Sequence, residues 1–328
     1  MTDKKINICV VGGGKWGMNH IKTLNQLSAL GGVVDSDNTI RENVKQNFKD
    51  SKVFSSLNEA LTENFDGFIV ATPAKTHYKL AKKIIENEKS VLVEKPLTLD
   101  LQTAKSLNEL AIKYKVNLMV GHVLLFHPAF QKMKSIIDDG YLGKIQYIYS
   151  NRLNLGTFRT DENVFWSFAP HDISLLNYFF EDKPINVTSR GLDILQKDIH
   201  DTTITTFDYK NNRMGHIFVS WLHPFKEHRF VIVGSNGMLH FEDSKEGKPL
   251  ILYDKKAVFS GSVPNPKSGE ITKIAYDNSA PLKNELRYFI SKIKSGSINI
   301  ANGESAVDVI DLLEKSSISL KENDLGRS

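Results

Sequence analysis

A chain of 328 residues is long enough for two domains with separate cores, and 41% hydrophobic with 24% charged residues is the balance of a water-soluble globular protein. A net charge of +4 without a basic block argues against nucleic acid as a partner, and no apolar run reaches the roughly 18 residues that a membrane span needs. The single cysteine, Cys9, excludes an internal disulfide and fits a reducing cytoplasm, "MTDKKIN" holds no signal-peptide core, and the histidines show no zinc-like spacing, so no metal is expected.

From residue 6 to about 121 short apolar runs alternate with helical patterns. Strands are expected over 6–11, 32–35, 67–71, 90–94 and 117–121. Helices are expected over 16–28, 39–48, 58–63, 75–87 and 101–114, the last capped by Asp100. Apolar strands alternating with helices imply a parallel sheet covered on both faces. After His122 the rhythm changes. A helix over 128–139 and a strand over 144–155 precede a helix expected over 171–180, with His171 and Asp172 at its start. Closely spaced strand patterns over 187–195, 202–209, 214–222, 228–234 and 237–243 then imply a large open, mostly antiparallel sheet. Residues 244–278 are rich in Gly, Pro, Ser and Lys and read as loop, and helices over 281–294 and 304–320 close the chain. The expected division is 1–122 and 123–328, the second part binding substrate and forming oligomers, with C-terminal helix packing back on the first domain.

"NICVVGGGKWGMNH" sets Gly12-x-Gly14-x-x-Gly17 between the first strand and the first helix. A tight turn needs Gly12, close approach of a pyrophosphate needs Gly14, and helix-on-strand packing favours Gly17. Lys15 and Trp16 lie inside this turn. "GVVDSD" ends the next strand, and Asp35 stands 18 residues after Gly17, where a carboxylate accepts from an adenosine ribose. Asp35 also repels a 2′-phosphate, and the nearest arginine is Arg41, so NAD is the expected cofactor over NADP, with Ser36 beside it. In open parallel sheets ligands lie beyond the carboxyl ends of the strands. That edge takes in Thr72, Pro73 and His77 of "VATPAKTHY", Glu94 and Lys95 of "VLVEKPLTLD", and His122 of "VGHVLLF". A lysine there can orient a hydroxyl, favour its alkoxide, or act as base.

Taken in order, "VVGGGKWGMNH", "VVDSD", "VATPAKTHY", "VLVEKPLTLD" and "VGHVLLFHPAF" resemble the Gfo/Idh/MocA oxidoreductases. The resemblance covers the N-terminal half and runs through the early second half and the closing helices. It implies a Rossmann domain followed by a C-terminal α/β domain whose open sheet makes a homodimer or homotetramer. It implies catalysis by Lys95, with His171 matching a family histidine that faces this lysine. Either group can take the hydroxyl proton as hydride leaves. Many members carry an aspartate four residues before that histidine, where this chain has Ser167. "NLG…R…EN…WSFAPHD" is similar to a narrower branch, UDP-sugar 3-dehydrogenases that oxidise the C3 hydroxyl of UDP-N-acetylglucosamine or its uronic acid for cell-envelope glycans. In that reading Arg152, Asn154, Arg159, Asn163, Trp166, Ser167, His171 and Asp172 hold the UDP-sugar. Structural ion pairing of the arginines and a core position for Trp166 are the alternatives. For the whole chain, another sugar or polyol dehydrogenase, a ketoreductase, and a non-catalytic NAD-binding sensor stay open.

Overall fold

The structure is a computed structural model that describes residues 6–325. The sequence-based expectation for Met1–Lys5 lies outside the described residues. Two compact units emerge: 1–126 with 279–311, and 127–278 with 312–328. The first unit thus takes in residues 123–126 and a late segment that a contiguous division at 122 assigns to the second.

In the first unit β1 (Ile8–Val11), α1 (Lys15–Gln26), β2 (Leu30–Val34), α2 (Asn38–Asn47), β3 (Lys52–Phe54), α3 (Leu57–Leu61) and β4 (Gly67–Val70) follow one another. Then come α4 (His77–Glu86), β5 (Ser90–Val93), α5 (Leu101–Tyr114) and β6 (Leu118–Val120). The sheet order is β3-β2-β1-β4-β5-β6, every pairing parallel, with the reversal of strand order beside β1. β1 and β4 are buried along their whole length, because helices cover both faces. Cys9 is one of these buried residues. Asp37, Ser56 and Asp100 cap α2, α3 and α5 through side-chain oxygens. β3 is a three-residue edge strand that the sequence reading did not anticipate; its residues are exposed or half-buried and carry no apolar run.

In the second unit α6 (Pro128–Asp138), β7 (Ile145–Leu153), α7 (Val164–Phe180), β8 (Asn186–Leu192), β9 (Thr202–Tyr209) and β10 (Arg213–Ser220) come first. They are followed by β11 (Glu227–Gly234), β12 (Met238–Glu242), β13 (Leu250–Ser260) and β14 (Val263–Ile274). The eight-stranded sheet runs β14-β13-β12-β11-β7-β10-β9-β8, antiparallel except for β7 with β10. Phe130 of α6 packs against Phe179, Phe230 and Phe241, which places the core between the helices and one sheet face.

Two expectations are overturned here. The region 244–278 is not mainly loop: β13 and β14 pair from Leu250↔Ile274 to Ser260↔Val263. β14 is the edge strand, so Pro264 and Pro266 lose no ladder bond on its outer side. Helix α7 begins at Val164, not at His171, because the Asn163 side chain caps it by accepting from the Trp166 N–H at 3.0 Å. Pro170 sits inside this helix and removes one backbone donor, yet packing of the buried flanking residues holds the helix through it. The closing helices are α8 (Pro281–Ser295) and α9 (Gly303–Leu325), with α8 packed in the first unit against α1. Among the described residues no helix is long and apolar enough to cross a membrane, and no group of three His, Cys, Asp or Glu could hold a metal.

Candidate active site

The glycine turn is built for a close-approaching ligand. Gly12 has φ +96°, and a Cβ there would lie 2.8 Å from the Ala71 carbonyl oxygen and from Thr72 Cγ2. A Cβ on Gly17 would meet the Gly12 carbonyl oxygen at 1.9 Å, so α1 starts directly over the strand end only with glycine there. Around Gly14 no heavy atom lies within 4 Å of such a Cβ, which leaves the helix N-terminus open to a phosphate. Asp35 accepts from the Gly13 N–H at 2.7 Å and the Asp37 N–H at 2.8 Å, so its carboxylate is aimed before any ribose arrives. Arg41 donates to the Asp35 and Ser36 carbonyls, both at 2.8 Å, and to Asn38 at 3.0 Å. These residues fit an adenine dinucleotide with a free 2′-hydroxyl. Asp35→Ser is therefore expected to lower the ratio of NAD to NADP affinity about tenfold or more, as read by fluorescence titration with both cofactors.

The Glu-Lys-Pro turn follows β5 on the carboxyl edge. Glu94 is buried and accepts from the Trp16 indole N–H, from His20 Nε2 at 2.6 Å and from the Lys95 N–H at 3.2 Å. Burial pushes its carboxyl up, but the bond and charge of His20 and the Trp16 and Lys95 N–H groups outweigh this and hold it below the ordinary range. Glu94 thus fastens the lysine turn to the helix that opens the glycine turn. His20 carries no signal in the sequence; its role shows only when α1 is set against β5. The Lys95–Pro96 peptide bond is cis, and the Lys95 side chain is half-buried.

Sequence reasoning set His77 beside the cofactor, and the structure uses it otherwise. Its ring is buried, with Nδ1 2.8 Å from the Pro96 carbonyl and Nε2 2.8 Å from the Thr72 carbonyl. It ties the turn after β4 to the turn after β5. Thr72 shares a hydroxyl bond with Thr76 at 2.6 Å, and Pro73 and Ser36 are exposed.

His122 follows β6 and is 2% exposed. Burial pulls its ring down to about 4, with the Glu94 charge opposing and Lys95 adding to the fall. The unfolded chain takes up this proton near 6.5 and the folded chain does not until about 4. The stability that the neutral ring brings is whole above about pH 6.5 and is lost, by up to about 3 kcal/mol, as pH falls toward 4. Urea midpoints at pH 7 and pH 5 are expected to separate less in His122→Asn than in the parent.

In the second unit, β7 and α7 carry the residues expected to hold substrate. Arg152 forms a bidentate pair with Asp172, Nε to Oδ2 at 2.8 Å and Nη2 to Oδ1 at 2.9 Å, and Ser150 Oγ adds a bond at 2.7 Å. Both members of this pair therefore serve to dock α7 on the sheet. Asn163 is the cap of α7, and the Trp166 indole donates to Ser317 of α9 at 2.8 Å. Arg159 stays exposed, 3.8 Å from Glu162, while its carbonyl accepts from Gln196 at 2.8 Å. Asn154 is half-buried just past β7. Ser167 and His171 are four residues apart in α7 and share one face.

A doubly wound parallel sheet with a glycine turn and an aimed acid after its second strand defines a dinucleotide-dependent oxidoreductase. Residues 6–122 match the profile of the oxidoreductase family with an NAD-binding Rossmann fold, and residues 130–240 match the C-terminal domain of the same family. The chain belongs to the Gfo/Idh/MocA family of oxidoreductases, and its Rossmann domain is NAD-binding.

The UDP-N-acetylglucosamine 3-dehydrogenase of Acidithiobacillus ferrooxidans is 28% identical over 184 residues, 56% of this chain and 57% of that one. Its solved structure superposes with a TM-score of 0.85 at 21% identity over 98% of this chain and 99% of that one. The WlbA dehydrogenase of Bordetella pertussis, solved with NADH and UDP-GlcNAcA, gives 0.78 at 19% identity over 98% of both chains. A myo-inositol 2-dehydrogenase of Thermotoga maritima is 23% identical over 340 residues, 97% of this chain and 99% of that one. The alignments with the first five curated relatives span 43% to 66% of their lengths.

Proposed function

We propose that this chain oxidises the C3 hydroxyl of a UDP-N-acetylhexosamine, UDP-N-acetylglucosamine or its uronic acid, to the 3-keto sugar with NAD, in cell-envelope amino-sugar synthesis in the cytoplasm. The observation that carries the dehydrogenase reading is Lys95 at the carboxyl edge of the Rossmann sheet, its turn fastened through Glu94 to Trp16 and His20 of the glycine-turn helix. Bound NAD supplies the hydride acceptor. The Lys95 ammonium would orient the hydroxyl and stabilise negative charge on its oxygen while His171 takes the proton, or Lys95 as the neutral amine would take it itself. Asp35 holds the ribose, and the Gly12–Gly17 turn receives the pyrophosphate.

The sugar-nucleotide assignment is supported by the "NLG…R…EN…WSFAPHD" stretch and by the fold likeness to two UDP-sugar dehydrogenases. With Arg152 committed to Asp172, the diphosphate falls to Arg159 and Asn154. Incubation with NAD and a panel of UDP-sugars, with and without 2-oxoglutarate to recycle NADH, tests the assignment by absorbance of the reduced nicotinamide. Arg159→Ala is expected to raise KM for the UDP-sugar about tenfold and to leave kcat nearly unchanged, as loss of one charge-assisted contact should.

A second reading, a polyol dehydrogenase, is favoured by the full-length match to the inositol enzyme of Thermotoga maritima. Turnover of myo-inositol with silence toward UDP-sugars would select it. Assembly into a dimer or tetramer through the sheet of the second unit completes the proposal. Tyr149 and His216 stack there at 5.2 Å, beside Tyr147, on the face opposite Ile148 and Ser150. Sedimentation equilibrium reads that state.

A further inference from the structure

Between β8 and β9 the chain makes an excursion over 193–201 in which Ile194 and Leu195 are exposed, so polar bonds more than burial hold it in place. Those bonds converge on Asp201, which is wholly inaccessible. Its Oδ2 accepts from the Ile194 and Leu195 N–H groups, both at 2.7 Å, and its Oδ1 accepts from the Trp221 indole N–H at 2.5 Å. The backbone of Asp201 adds two more: its N–H donates to the Leu192 carbonyl at 2.8 Å, and its carbonyl accepts from the Trp221 N–H at 3.2 Å. A carboxylate only accepts, and it has room for about four donors, so N–H groups arriving from the excursion and from Trp221 meet it without conflict.

The excursion and Trp221 in turn hold the segment 154–164, in which Leu155, Phe158 and Arg159 are exposed. The Gln196 side-chain amide donates to the Arg159 carbonyl at 2.8 Å, and the His200 carbonyl accepts from the Val164 N–H at 3.0 Å, where α7 begins. On the Trp221 side, the Gly156 N–H donates to the Trp221 carbonyl at 3.2 Å, and the Phe158 ring stands edge-on to the indole with centroids 6.2 Å apart. Both sets of ties lead back to the one buried carboxylate.

We propose that Asp201 is a positioning residue for the substrate: it fixes the 193–201 excursion and the Trp221 ring, and through them the segment that presents Asn154 and Arg159. This rests on the reading above, which gives the diphosphate of a UDP-sugar to those two residues. An exposed segment with few apolar contacts is cheap to disorder, and every conformation that takes Arg159 out of place lowers the binding-competent fraction. The signature of Asp201 is therefore in substrate affinity, and NAD binding in the other unit is left alone.

The full-length parent, Asp201→Asn and Gln196→Ala are compared by amide hydrogen exchange, thermal melting, NAD titration and steady-state kinetics with NAD and UDP-N-acetylglucosamine or its uronic acid. Asp201→Asn keeps the shape but turns an NH2 donor toward at least one of the three N–H groups. It is expected to speed exchange over 154–164 and 193–200 about tenfold, while the β7 and β10 strands change less than about twofold. KM for the UDP-sugar should rise about tenfold, with kcat and NAD affinity within about twofold. Gln196→Ala removes only the link to the Arg159 carbonyl, so it should melt like the parent and raise KM about threefold. Parent-like exchange over 154–164 in Asp201→Asn overturns the tether. Faster exchange with parent-like KM in both variants overturns the positioning role. If Asp201→Asn does not fold, Gln196→Ala decides: a raised KM with a parent-like melt supports the proposal, and an unchanged KM overturns it. A parent that turns over no UDP-sugar defeats the substrate reading and the role that rests on it, whereas an active parent matched by its variants defeats the role of Asp201 alone.

Discussion

Lys95→Ala is expected to lower kcat for NAD reduction by about 10²- to 10⁴-fold while NAD affinity stays within about twofold. The reason is a division of labour inside one turn. The backbone of residues 94–96 is fixed from two sides. The Lys95 N–H donates to Glu94 at 3.2 Å, and the Pro96 carbonyl faces the His77 ring at 2.8 Å. Neither bond involves the lysine side chain, so its removal leaves the turn and the glycine cradle standing. What disappears is a positive charge at the carboxyl edge, where an oxygen gains negative charge as hydride departs. Charge placed in advance at a developing alkoxide is worth more than charge recruited from solvent. The measurement pairs kcat at saturating substrate with an NAD titration and a thermal melt. Loss of kcat with the other two unchanged places Lys95 in the chemistry. Unchanged turnover would remove it.

Asp172→Ala should destabilise the second unit by about 3–5 kcal/mol, because it strands a largely buried guanidinium. Asp172 is wholly inaccessible, and the Arg152 side chain is 16% exposed. β7 lies between β11 and β10 in the sheet, and α7 packs on β7 and β10. The pair therefore clamps the helix that carries His171 to the middle of the sheet. Replacing both members by apolar residues, Arg152→Met with Asp172→Leu, should recover much of the loss, since an apolar pair carries no desolvation cost. Urea unfolding of the two single variants and the double closes the cycle. A double variant as unstable as either single one would show that the pair is not the source of the effect.

The two halves of the chain were not equally legible. In the first half the inner strands are short, mainly apolar runs, β1 and β4 buried throughout and β2 and β5 buried beyond their first residues, so composition and period agree locally, and the strands over 67–70 and 90–93 fall within a residue of expectation. β3 escaped because three edge residues make no run. In the second half the start of α7 was misplaced by seven residues. A helix buried nearly all round offers no polar stripe to mark its beginning. The β13–β14 ribbon was missed because its outer strands are solvated on both faces, which erases the period-2 alternation that betrays a half-buried strand.

The glycine turn, Asp35 and the Glu-Lys-Pro sequence were visible in the chain because each depends on residues a few positions apart or on the order of strand and helix. The Trp16 and His20 contacts to Glu94 join residues 78 and 74 positions apart. The His77 bridge and the Arg152–Asp172 clamp likewise exist only after distant elements have packed. A local stretch determines which backbone shape it can take and which chemistry it can offer. Whether an arginine meets a substrate or a buried aspartate depends on the partners that folding supplies. Those were decided by the tertiary structure alone.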